Sequence, residues 1–215
     1  MLTKRLTKIL SAVPKCDVLC DVGCDHGYVG IEVLKRDVCR QVIFCDISAP
    51  SLQKAQENCP DALKTRAQFV CQDGLDKIKC NCAVIAGMGG LEIISVLQGA
   101  ESLPNTLILQ PMRNQQDVRI WLAKKYKILT DEKFFDGKYY DLIVAQLGEG
   151  ETLTRDEVKF GRSNIKRPNR DFKSYIEKEK QKYQQIRQAC RNAQVEETYS
   201  DLCRVGQQIE SEDKQ

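Results

Sequence analysis

The 215-residue sequence predicts a doubly wound α/β sheet that ends in an antiparallel hairpin and carries a small helical appendage. Three observations predict it. From residue 15 to residue 147, short and nearly continuous apolar runs alternate with segments whose apolar residues recur at helical spacing. The dipeptide Asp136-Gly137 separates the last two strand-like runs. From about Glu149 the strand-like runs stop and long polar stretches begin. Hydrophobic residues make up 42% and charged residues 29%, which excludes a wholly disordered or collagen-like chain.

The elements follow in order. Leu2, Leu6, Ile9, Leu10 and Val13 recur at helical spacing and predict an amphipathic opening helix; Lys4, Arg5 and Lys8 interrupt the apolar core that a secretion signal needs. Residues 18–22, 41–46, 67–72, 83–86 and 106–110 read as strands of a covered parallel sheet. Helices are predicted at 28–36, 51–58, 91–97 and 115–125, the last from apolar positions such as Val118, Trp121 and Leu122. Residues 127–135 and 139–147 flank the Asp-Gly turn as a hairpin. Pro168-Asn169 opens a further helix, with Asn169 or Asp171 at its cap. Along it Phe172, Tyr175, Ile176, Tyr183, Ile186, Cys190 and Ala193 recur every three to four residues; Leu202, Val205 and Ile209 mark a second helix folding back on the first. The expected division is a sheet domain at 1–150 and a helical hairpin at 151–215, with residues 210–215 frayed.

Eleven cysteines, an odd number without an export signal, predict free thiols in a reducing cytoplasm, several of them buried in apolar runs as at Cys20, Cys45 and Cys71. No Cys-x-x-Cys pair occurs and His26 is the single histidine, so no metal site is expected. No run of 18 apolar residues exists, so no membrane span is expected.

Four strand ends carry ligand-type residues. DVGCDHG (21–27) follows the first strand, where Gly23 allows a sharp turn under a ligand and Gly27 a close approach of the helix start. Its spacing is similar to the Asp/Glu-x-Gly-x-Gly-x-Gly motif of S-adenosylmethionine (AdoMet) enzymes, with Asp25 at the middle glycine. Asp46, 19 residues beyond Gly27, stands where a ribose acceptor is expected, which fits AdoMet or NAD equally. Asp73-Gly74 follows the third strand, where in AdoMet-binding sheets an acid or amide reaches the adenine amino group; a plain turn explains it as well. AGMGG (86–90) follows the fourth strand and permits close backbone approach to a ligand, with Met88 packing on it.

Taken together, DVGCDHGYVGIEVLKR, CDIS, AGMGG, LILQPMRNQQDVRIWL and YYDLIVAQ resemble the bacterial tRNA (adenine-22-N1)-methyltransferase family. The resemblance runs from the opening helix to about Gly148 and more loosely into the segment Phe160-Gly161-Arg162, where the family has proline in place of Arg162. It implies a Rossmann-like class I AdoMet methyltransferase sheet with a C-terminal coiled-coil-like helical domain. The implied cofactor is AdoMet, bound through Asp21, Gly23, His26, Gly27, Asp46, Ile47, Asp73, Gly74, Gly87, Met88 and Gly89. The implied partner is tRNA, and a cytoplasmic monomer is expected. Adenine N1 carries an in-plane lone pair, so direct attack on the methyl requires positioning and stabilisation of the developing cation. Asp25 is the first candidate for that role, followed by Gln110 and Asn114 at the fifth strand's end.

Net charge is only +3, yet residues 159–191 hold eleven basic residues against three acidic ones, a local excess of +8. Residues 192–215 carry two basic and six acidic residues, which masks it. A solvated helix face is one explanation; beside such a sheet, RNA binding is preferred, through Lys166, Arg167, Arg170 and Lys173, with Lys4, Arg5 and Lys8 added from the opening helix and Tyr175 and Tyr183 interleaved. The competing readings are a methyltransferase acting on another RNA position, a small molecule or a protein, a non-catalytic RNA-binding module, and a nicotinamide dehydrogenase, against which the terminal hairpin and AGMGG speak.

Overall fold

A computed structural model describes residues 2–190 and 192–212. The first layer of the fold is α1 (Lys4–Ser11), capped by the Thr3 hydroxyl, which accepts from the Leu6 N–H. Strands β1 (Cys16–Val22), β2 (Cys39–Asp46), β3 (Ala67–Cys71), β4 (Cys82–Ala86) and β5 (Thr106–Gln110) are all parallel. The connecting helices are α2 (Tyr28–Lys35), α3 (Ala49–Asn58), the short α4 (Asp61–Lys64), α5 (Gly90–Gln98) and α6 (Gln115–Leu122). Strands β6 (Tyr126–Asp136) and β7 (Lys138–Leu147) complete the sheet in the order β3-β2-β1-β4-β5-β7-β6, antiparallel to each other and with β7 antiparallel to β5.

Near-continuous apolar strands bury both faces. Successive residues alternate sides, so Leu19, Phe44 and Val84 join α1 and α2 in one layer, while Cys20, Cys45 and Ile85 join α5 and α6 in the other. The chain leaves β3 at one edge and returns through β4 beside β1. That reversal of strand order opens a crevice at the carboxyl ends of β1 and β4.

Beyond the sheet stand α7 (Arg155–Phe160), α8 (Arg162–Lys166), α9 (Arg170–Ala189) and α10 (Ala193–Glu212). Asn169 caps α9, its side chain accepting from the Phe172 N–H. Phe160, Ile165, Phe172, Ile176, Leu202, Val205 and Ile209 form a third apolar cluster of their own. Helices α4, α7 and α8 were not expected: four to six residues are too few to display a period. The helix also continues through residues 210–212, where fraying was expected; residues 213–215 of that segment lie outside the described residues, as does Arg191 of the basic run. Tyr175 and Tyr183 pack against the third cluster instead of standing as interleaved surface contacts. All eleven cysteines are free, but Cys71 is exposed, not buried as its apolar run predicts, because β3 is an edge strand. Among the described residues no helix is long and apolar enough to cross a membrane, and no cluster of three or more His, Cys, Asp or Glu residues could hold a metal ion.

The outer edge of β6 is closed by side chains. The Asp131, Lys133 and Phe135 N–H groups donate to Ser163 Oγ, Asn164 Oδ1 and Asp171 Oδ2 at 3.0, 2.8 and 2.9 Å. The Lys133 carbonyl accepts from Asn169 Nδ2 at 2.9 Å. Beneath this seam lies a buried ion network. Arg119 binds Asp131 through Nε and Nη2 at 2.7 and 2.9 Å and Asp141 through Nη2 at 2.8 Å. Lys133 Nζ binds Asp141 at 2.6 Å and lies 4.4 Å from the Tyr175 ring centre. Arg119 Nη1 also donates to the Val158 carbonyl at 3.2 Å, joining α6 to α7. Burial opposes charge on Asp141, but Lys133 and Arg119 outweigh it and hold the carboxyl below its ordinary range. Two cations face two carboxylates, so the group is neutral as a whole.

Removing one member leaves an uncompensated buried charge. Asp131→Ala is expected to lower stability by about 3–5 kcal/mol in chemical denaturation, and Asn169→Ala, which loses a cap, by about 1 kcal/mol.

Candidate functional site

Two cavities meet at the carboxyl edge of the sheet. The first, about 330 Å³, is lined by the end of β2, the loop after β3 and one side of α5, including Asp46, Ile47, Asp73, Gly74 and Val96. The second, about 410 Å³, is lined by Arg5, Asp21, Asp25, His26, Tyr28 and Gly87 among others. Gly23 and Met88 line both. Met88 lies across Gly23: a side chain there would bring its Cβ within 2.2 Å of Met88 Cε, and Gly23 has φ +66°. Both volumes fall within the range of small-ligand sites, about 300–1,000 Å³.

Each wall has a local cause. Asp46 ends β2 with its carboxylate nearly buried, accepting from the Asp25 N–H at 3.0 Å and the Ser48 N–H at 2.9 Å. One lone pair on each oxygen remains for a diol. Ile47, 69% exposed, offers an apolar face beside it. Asp21 accepts from the Gly30 N–H at 3.0 Å inside the second cavity. Burial pushes its carboxyl up to about 7 against the pull of that hydrogen bond, and the charge of Asp46 adds to the rise. Asp25 takes a left-handed backbone, φ +46°, where the related motif has glycine; aspartate tolerates this region better than most residues. Its N–H is spent on Asp46, while its side chain is 62% exposed and faces His26 Nε2 at 3.8 Å. The His26 ring in turn stacks on Tyr28, with centroids 5.2 Å apart.

Of the expected cofactor residues, Asp46, Ile47, Asp73 and Gly74 lie in the first cavity, Asp21, His26 and Gly87 in the second, and Gly23 and Met88 in both. Gly27 and Gly89 line neither. Gly27 precedes α2 with φ +70°, and a Cβ there would come within 2.9 Å of Ala55 Cβ, so α2–α3 packing requires it. Gly89 opens α5, and its N–H donates to the Glu92 carboxylate at 2.8 Å.

Of the three catalytic candidates only Asp25 reaches a cavity. Gln110 is fully buried: its Oε1 accepts from Arg5 Nη1 at 2.8 Å and its amide nitrogen faces the Pro111 carbonyl at 3.3 Å. Asn114 opens α6 in a left-handed conformation and donates to Asp117 at 3.2 Å. Arg5, expected on the RNA surface, instead lines the second cavity and is held by Gln110. Sequence reading missed Tyr28, whose place just after Gly27 was the available signal. It also missed Ser95 and Val96, which face the first cavity from α5 and carry no local signature.

The basic arm is less free than its charge sum implies. Lys159 pairs with Asp201, Arg187 with Glu196, and Arg162 with Glu151 and Glu157. Arg162 occupies the first turn of α8, a position suited to the proline of the related pattern. Lys166, Arg167 and Arg170 are exposed. Lys4 binds the Phe135 carbonyl at 2.7 Å and Asp171 at 3.3 Å, and Lys8 pairs with Glu132 at 2.6 Å.

Residues 2–143 match the model of a family described as a methyltransferase domain. The chain belongs to this methyltransferase family. It is 30% identical over 157 residues, 69% of this chain, to the tRNA (adenine(22)-N(1))-methyltransferase of Bacillus subtilis. The match spans 66% of that enzyme, just under two thirds of its length. Among solved structures, the Bacillus subtilis m1A22 tRNA methyltransferase TrmK is 25% identical with a TM-score of 0.78, covering 98% of each chain. A candidate tRNA (m1A22) methyltransferase of Streptococcus pneumoniae, in complex with S-adenosyl-L-methionine, is 27% identical with a TM-score of 0.84, covering 96% of this chain and 100% of that one.

Gly23→Ala is expected to displace Met88 into the cavities and to weaken the calorimetric binding of a small ligand seated there. Adding Met88→Ala should restore part of the affinity. It should not restore the stability loss of about 1–2 kcal/mol that the left-handed backbone imposes on a non-glycine residue.

Proposed function

We propose that the protein is a cytoplasmic, monomeric AdoMet-dependent methyltransferase acting on N1 of adenine 22 in tRNA. The observation that carries this reading is the pair of cavities joined at Gly23 and Met88: one has a carboxylate able to accept a diol and an apolar face, the other a buried carboxylate and the exposed carboxylate of Asp25. The relatives described above act on, or are assigned to, that nucleotide.

The residues fit AdoMet. Asp46 would accept the ribose hydroxyls, Ile47 and Val96 would cover the adenine, and Asp73 would accept from its amino group; all four line the first cavity. Asp21 would balance the ammonium of the methionine part, beside Gly23 and Gly87 in the wall of the second cavity. Bound AdoMet supplies an electrophilic methyl on its sulfonium. Adenine N1 needs no covalent enzyme intermediate, so the protein's task is alignment. Asp25 accepts a hydrogen bond from the N6 amino group and opposes the positive charge that develops on the base as N1 is alkylated. N1 lies on the Watson–Crick edge, so a paired target must be exposed before transfer. Residues 151–215 form the arm that holds a folded tRNA by shape and backbone, through Lys166, Arg167, Arg170 and Lys173.

Incubation with labelled AdoMet and unmodified tRNA, followed by nucleoside mapping, should yield 1-methyladenosine at position 22. Label at another nucleotide, or in protein alone, would sink the assignment. Asp25→Ala should keep AdoMet affinity and lose most turnover, whereas Asp46→Ala should lose affinity.

Asp21 also sets a pH dependence. Its carboxyl in the free protein ionises near 7, well above the ordinary aspartate value, and only the ionised form balances a cationic ligand. AdoMet affinity should therefore rise with pH up to about 7 and level off above it, and Asp21→Asn should flatten the profile. A flat wild-type profile from pH 5.5 to 8 would contradict the role given to Asp21.

A further inference from the structure

We infer that the tip of the β6–β7 hairpin is an RNA-contact platform, set between the helical arm and the second cavity. The inference rests on the tRNA reading above and adds a surface to it.

Because β7 runs antiparallel to β5, the turn at Gly137 lies at the same end of the sheet as the cavities. Two aromatic residues, Phe135 and Tyr139, face each other across the hairpin with ring centres 5.1 Å apart. Lys178 of α9 places its ammonium 5.4 and 5.5 Å from those two centres. Phe135 is 38% exposed, the profile of a ring that can receive another ring. On the other face of the hairpin, Lys138 Nζ lies 5.4 Å and the Arg5 guanidinium 5.8 Å from the Tyr140 ring centre. Arg5 is also a wall of the second cavity. The tip therefore touches the arm through Lys178 and the cavity through Arg5.

Charge at the tip is one-sided. The two nearby carboxylates are turned inward: Asp136 accepts from the Arg5 N–H at 2.8 Å, and Asp171 accepts from the Phe135 N–H and pairs with Lys4. Lys138 and Lys178 remain exposed. At Gly137 nothing lies within 4 Å of where a side chain would begin, so the approach is open. One exposed ring, Phe135, beside the half-buried Tyr139 and flanked by ammonium groups, suits a strand of RNA, whose bases stack on aromatic rings while its phosphates meet the cations. An unpaired nucleotide flanking the methylated one is the natural occupant, because the tip adjoins the cavity.

The test uses the full chain and an unmodified tRNA transcript, with binding followed by fluorescence anisotropy at several salt concentrations. Lys138→Glu/Lys178→Glu should weaken binding about tenfold or more and reduce the salt slope by about 2. Phe135→Ala should weaken it roughly fivefold or more, with little change in slope. AdoMet affinity should not move in these variants, and the melting temperature of Lys138→Glu/Lys178→Glu should stay near wild type. Lys124→Glu/Lys125→Glu, the same charge change at the opposite end of β6, should leave tRNA binding near wild type. Unchanged binding by the tip variants, or equal loss in the Lys124/Lys125 control, would overturn the platform. Failure of the wild-type protein to bind or methylate tRNA would instead remove the functional reading on which the platform rests.

Discussion

The open edge of β6 is the constraint on which the rest of the molecule depends. A terminal strand leaves every second N–H and carbonyl unpaired, and such an edge invites pairing with another chain. Here the polar side chains of residues 163–171 occupy those positions one after another, from Ser163 at Asp131 to Asp171 at Phe135. The helical arm is thereby laid along the sheet in a fixed register. The buried network of Arg119, Asp131, Lys133 and Asp141 lies directly behind it and accepts no slippage, because any shift would leave a charge without its partner.

The catalytic edge inherits that register. Arg119 is on α6, which begins just after the loop that follows β5. Its guanidinium joins that helix to β6, β7 and α7 at once. At the other end of the hairpin, Asp136 holds the start of α1, and α1 carries Arg5 to Gln110 at the end of β5. Arm, hairpin, opening helix and cavity wall thus form one connected body. On the function proposed above, one base of a folded RNA is brought to one methyl group, and such rigidity serves that task, since a small misplacement of reacting atoms costs rate steeply.

Much of this was legible in the sequence, for physical reasons. Strands buried on both faces betray themselves as unbroken apolar runs, so β5 was read at its observed bounds and the Asp136-Gly137 turn at its observed place. The cavity residues at 21–26, 46–47, 73–74 and 87–88 were legible because a parallel sheet delivers its strand ends to one edge. What was not legible is what long-range packing decides. Gln110 has the chemistry of a substrate contact, yet Arg5, 105 positions away, claims its carbonyl oxygen. Asp131 and Lys133 read as polar positions of a strand; nothing local says that Arg119 and Asp141 bury them. The charge of the arm is divided in the same way, since Lys159 and Arg187 neutralise acids on α10 that sequence counting assigns to a separate tail.

The central claim, that arm and catalytic sheet are one rigid body closed along β6, is tested most directly by amide hydrogen exchange. The N–H groups of Asp131, Lys133 and Phe135 should be protected as strongly as those of Leu142 and Ile143 in the neighbouring strand β7. Exchange at the rate found along the open edge of β3 would show that the side-chain seam does not hold and would contradict the account.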